Sequence, residues 1–85
     1  MSDFNFLVKN GREEETDARL FFDNEEVIPI STNKNMYDIL VMTNIFSSKS
    51  QARKNWAKTG ANIPEGFSDF IVGKLKHRIC ILNPI

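Results

Sequence analysis

Cys80 is the only cysteine in this chain and His77 its only histidine, so neither a disulfide nor a zinc cage can staple the fold. Whatever forms must be held by a hydrophobic core built within 85 residues, the length of one domain. Apolar residues make up 41% of the sequence, enough for one core. Seven Phe, one Trp and one Tyr carry much of its volume. A single cysteine fits a reducing compartment. No run of about 18 apolar residues offers a transmembrane helix. The start Met1-Ser2-Asp3 has no basic stretch leading into an apolar one, as a secretory signal would. The expectation is a soluble, cytoplasmic protein with no membrane partner.

The net charge of zero hides a split. Residues 1–33 carry three cations against eight carboxylates, a net of −5, and residues 34–85 carry eight against three, a net of +5. The cations of the basic part cluster at two places, which points to a nucleic-acid surface.

Phe4-Asn5-Phe6-Leu7-Val8-Lys9 is rich in strand formers and stops at the turn dipeptide Asn10-Gly11. Glu13 to Asp17 reads as a solvated acidic loop. Ala18-Arg19-Leu20-Phe21-Phe22 reads as a second strand, with Asp23-Asn24 as a turn. Val27-Ile28-Pro29-Ile30 reads as a third, short or at an edge because Pro29 cannot donate to a ladder. The acidic third therefore predicts a small antiparallel meander.

The periodicity changes after Thr32-Asn33. Met36, Ile39, Leu40 and Thr43 recur at helical spacing, with Asn33 or Asn35 as cap, and Ile45-Phe46 closes that helix. Ser47-Ser48 supplies the next cap, and Lys49 through Thr59 reads as a helix closed by Gly60. Ala52, Trp56 and Thr59 share one stripe of it, with Lys49 and Arg53 one turn apart beside them and Lys54 and Lys58 a second pair farther round. Pro64-Glu65-Gly66 is a turn. Phe67–Val72 and Arg78–Leu82 are strands joined through Gly73-Lys74-Leu75-Lys76, and this hairpin adds a second basic cluster, Lys74, Lys76, His77 and Arg78.

Asp38-Ile39-Leu40-Val41, then Ile45-Phe46-Ser47-Ser48-Lys49-Ser50-Gln51-Ala52-Arg53-Lys54, then Gly60-Ala61, resembles the αL RNA-binding motif. That motif is named for ribosomal protein S-four. The ending Gly73-Lys74-Leu75-Lys76-His77-Arg78-Ile79-Cys80-Ile81-Leu82 is similar to the C-terminal tail of bacterial tyrosyl-tRNA synthetases. The resemblance covers roughly residues 36–82. Asn55 stands where the family usually has an apolar residue, and Asn62-Ile63-Pro64-Glu65-Gly66 replaces a family strand. It implies an α+β fold, two helices in an αL arrangement on a small, mostly antiparallel sheet. It also implies a structured RNA partner, tRNA or rRNA, gripped by Lys49, Gln51, Arg53, Lys54 and Lys58 of the helix and Lys74, Lys76 and Arg78 of the hairpin.

Blander roles compete. Cations on a helix are mostly a solvated face, and lysines on a hairpin protect a strand edge. Trp56, at core spacing from Ala52, is expected to be buried, and so is Cys80, which alternates with Ile79 and Ile81. His77 is expected on the hairpin surface. No nucleophile with a base, carboxylate pair, phosphate loop or metal-ligand spacing stands out, so no catalytic residue, cofactor or metal is expected. The leading expectation is a non-enzymatic RNA-binding protein. The alternative is a protein-interaction module or small inhibitor, of phage or mobile-element type, that docks on a host protein. A further possibility is that the acidic third masks the basic surface.

Overall fold

A computed structural model describes residues 3–23 and 25–85, with residues 15–18 as backbone only. Met1 and Ser2, where no secretory signal was expected, and Asn24, expected in a turn, lie outside the described residues. The elements in chain order are β1 (Phe4–Lys9), α1 (Glu15–Phe22), β2 (Ile28–Ser31), α2 (Met36–Met42), α3 (Lys49–Asn55), β3 (Gly66–Val72) and β4 (His77–Asn83). The class is α+β, with three short helices and one four-stranded sheet of order β2-β1-β4-β3.

The expected antiparallel meander is not what forms. β1 runs parallel to both β2 and β4, and β3 with β4 is the one antiparallel pair among the described residues, so the sheet is mixed and not mostly antiparallel. Parallel neighbours need a crossover rather than a tight turn. The run expected as a second strand, Ala18–Phe22, supplies it as the body of α1. The end of the acidic run, Glu15 to Asp17, also belongs to this helix rather than to a loop. Asp23 ends α1 in the left-handed region, φ 55°, a conformation Asp tolerates better than most residues. Phe22 then turns inward to pack with Leu7, Cys80 and Leu82, while Leu20 stays exposed.

The two central strands are buried along almost their whole length. Asn5, Phe6, Leu7 and Val8 of β1 and Ile79, Cys80, Ile81 and Leu82 of β4 are all buried. Continuous burial of this kind is the mark of strands covered on both faces, as parallel strands usually are. β3 instead alternates, with Phe67, Asp69 and Ile71 exposed. Pro29 sits in edge strand β2, as its missing N–H requires. The expected hairpin forms as read. Val72 pairs with His77 across the four-residue loop Gly73–Lys76.

The chain forms two units, one of residues 1–32 with 64–85 and one of residues 33–63. This redraws the charge split. The sheet unit holds six cations against ten carboxylates, a net of −4, because the basic hairpin joins the acidic third in one sheet. The helical unit holds five cations against one carboxylate, a net of +4. The acidic third holds β2 and the interior strand β1, so it is an integral part of the sheet. No helix among the described residues is long and apolar enough to cross a membrane.

Candidate nucleic-acid interface

The helical unit is fixed by side chains that cap backbone. Asn35, not Asn33, caps α2: its Oδ1 accepts from Asp38 N at 3.1 Å, and Asp38 Oδ2 accepts from Asn35 N at 2.9 Å. This reciprocal box satisfies two donors that a helix start leaves open. Met36, Ile39 and Leu40 form the buried stripe of α2. The helix ends at Met42, earlier than the expected Ile45-Phe46. The Thr43 hydroxyl donates to Leu40 O at 2.7 Å, and Asn44 takes φ 63°, which a continuing helix cannot use.

Ser48 caps α3 as expected, its Oγ accepting from Gln51 N at 3.3 Å. The helix stops at Asn55 rather than Thr59. Asn55 Nδ2 donates to Gln51 O at 2.8 Å, and Trp56 adopts an extended backbone, φ −116° and ψ 108°. That geometry buries the indole, whose Nε1 donates to Thr59 Oγ1 at 3.0 Å. Gly60, with φ 61°, lies beyond this cap in a turn near Tyr37 and is not the helix terminator. Ala52 and Trp56 are both core, as their spacing predicts.

The expected cations are not equivalent. Lys49 Nζ lies 2.7 Å from Asp38 Oδ1, so much of its charge is used inside the unit. That hydrogen bond, then the Asn35 N–H, holds the Asp38 carboxyl below the usual carboxylate range. The Arg53 guanidinium sits over the Tyr37 ring, 5.6 Å from its centroid, which leaves its charge available to a ligand. Lys54 and Gln51 are exposed on α3. Lys58, past the helix end, is not a helical neighbour of Lys54 and lies over the Trp56 ring at 5.8 Å.

In the sheet unit, Lys74 and Lys76 are exposed on the hairpin loop, flanking an 82% exposed Leu75. Arg78 is bound bidentately by Asp69, with Nε to Oδ1 at 3.0 Å and Nη2 to Oδ2 at 2.6 Å. The pair holds the Asp69 carboxyl low and leaves Arg78 little charge to offer a phosphate. His77 is half-buried, with Nδ1 3.7 Å from Asp3 Oδ2 and its ring edge-on to Phe4. Cys80, the sole cysteine, is a buried thiol. Among the described residues, no three His, Cys, Asp or Glu side chains come together as a metal site.

Two residues that shape the site escaped sequence reading. Tyr37 underlies Arg53, and Asp38 neutralises Lys49. Asp38 was legible as the third helical residue after a capping Asn. The low Asp38 pKa has a consequence for stability. A carboxylate whose folded pKa is depressed contributes stability that is complete above its unfolded value, about 4. That contribution disappears as pH falls through the lower folded value. Urea unfolding from pH 7 to pH 2 is expected to show this acid-side loss in the natural chain and a smaller one in Asp38→Asn. Parallel pH profiles for the two would remove the ion pair from the account.

No protein-family model, curated protein or solved structure matches this chain.

Proposed function

We propose that residues 33–63 are a non-enzymatic RNA-binding module in which α2, its capped corner and α3 take the αL arrangement. The observation that carries this reading is the charge of the helical unit, +4 with a single carboxylate, and that carboxylate already engaged by Lys49. Arg53, Lys54 and Lys58 are the phosphate contacts, with Gln51 beside them as a neutral donor. Lys74 and Lys76 form a separate basic tip on the other unit, while Arg78 is spent on Asp69 and Lys49 on Asp38. The ligand is a structured RNA, tRNA or rRNA, read by shape and phosphate position rather than by sequence.

Affinity in this scheme comes mainly from counterion release. A salt titration of the pure protein against bulk tRNA and a structured rRNA fragment is the test. The expected result is binding whose logarithm falls linearly with the logarithm of salt, with a slope of about −2 to −4 for three to five phosphate contacts. Absence of binding at low salt would overturn the reading. A second reading, a module that docks on a protein, is favoured by the opposite net charges of the two units, −4 and +4. It would show as a protein that purifies free of nucleic acid and captures a polypeptide partner.

A further inference from the structure

The two edges of the sheet are built differently. β2 is four residues long and carries Pro29, so it is a poor template for another strand. β3 is seven residues long, Gly66–Val72, with no Pro, Lys or Arg, and among the described strands it has a neighbour on one side only. Edges of soluble proteins are normally blunted by a cation, a proline, a bulge or shortness. The one charge on β3, Asp69, is clasped by Arg78 and blunts little. Apolar side chains line the same face. Phe67 is 42% and Ile71 50% exposed, and the exposed Phe21 ring stacks on Phe67 at 5.1 Å.

We infer that β3 is a self-association strand, which pairs antiparallel with β3 of a second copy about a two-fold axis at Asp69. The pattern along the chain is self-complementary in that register. Phe67 comes opposite Ile71 of the second copy, and symmetry repeats the pair. Glu65, just before the strand, comes opposite Gly73 and beside Lys74 of the second copy, again twice. Asp69 meets its own counterpart, each carboxylate already held by its own Arg78. The contact closes on itself, so it ends in a dimer and not a fibre. The −4 of each sheet unit opposes approach at long range, but at about 0.15 M salt charges beyond roughly 8 Å are largely screened. This inference stands independently of RNA binding.

Sedimentation equilibrium of the full chain over a concentration series tests it. A reversible monomer–dimer equilibrium is expected. Ile71→Lys places a cation on the edge and is expected to weaken it at least about tenfold. Glu65→Lys and Lys74→Glu are each expected to weaken it severalfold, and the doubly exchanged protein to recover the natural affinity. Ile71, Glu65 and Lys74 are exposed, so at concentrations where the natural chain is monomeric the thermal unfolding of each variant should match it. Recovery in the double exchange is a result that misfolding could not produce. A chain that stays monomeric up to millimolar concentration overturns the inference and leaves the edge to a strand of another protein. So does a dimer indifferent to Ile71→Lys, or a double exchange that does not recover.

Discussion

Phe22→Ala is expected to lower stability by about 3–5 kcal/mol, whereas Leu20→Ala should change it by no more than about 0.5 kcal/mol. The contrast follows from α1. Residues two apart on a helix point to nearly opposite sides. Phe22 is 1% exposed among Leu7, Cys80 and Leu82, and Leu20 is 78% exposed. Removing the Phe22 ring deletes buried apolar surface and leaves a cavity under the helix that carries the parallel crossover. For a chain of this length total stability is on the order of 4–13 kcal/mol. The substitution therefore takes a large share of it, and at the lower end leaves the chain unfolded at room temperature. A strand through the same residues would put positions 20 and 22 on one face. Urea unfolding of the two variants decides: similar losses would refute the helix and the parallel topology that depends on it.

Why that helix was illegible is physical. Ala18–Phe22 shows too few residues to reveal a 3.6-residue period, and two adjacent phenylalanines favour strand by propensity. Tertiary context overrides this, because β1 and β2 lie parallel and the chain between them must cross over. A signal was present elsewhere. Phe4–Val8 and Ile79–Leu82 are nearly unbroken apolar runs, which mark central strands buried on both faces rather than a one-sided antiparallel meander. What the residues state locally was legible. Asn10-Gly11 ends β1, Ser48 caps α3, Gly73–Lys76 turns the hairpin, and Pro29 marks an edge. Helix ends were less so. Gly60 is a strong stop signal, yet Asn55 and the burial of Trp56 end α3 four residues sooner than Thr59. At the site, spacing located the cations but could not say which were already paired. The Asp38–Lys49 and Asp69–Arg78 contacts join residues 11 and 9 positions apart, beyond the reach of a helical or strand repeat.

Those ion pairs set the sharpest expectation about RNA. Lys54→Glu with Lys58→Glu is expected to reduce affinity for structured RNA on the order of 100-fold at low salt and to flatten the salt slope by about 1.5–2. Both residues are exposed, so reversal removes two cations and puts two anions before the phosphates. Arg78→Gln should leave the slope unchanged, because the charge of its guanidinium is already matched by the Asp69 carboxylate. Lys49→Gln should act likewise, its charge being matched by Asp38 at 2.7 Å. The sequence alone ranks all four as equal members of one basic surface; the geometry sets Lys49 and Arg78 apart as cations held by carboxylates. Binding isotherms across a salt series, with a thermal melt of each variant as the folding control, separate these outcomes. An equal loss in all four would mean that the ion pairs open on binding. A loss confined to Arg78→Gln would move the site to the hairpin. Wild-type binding in the Lys54/Lys58 double reversal would remove the helical unit from consideration as the RNA surface.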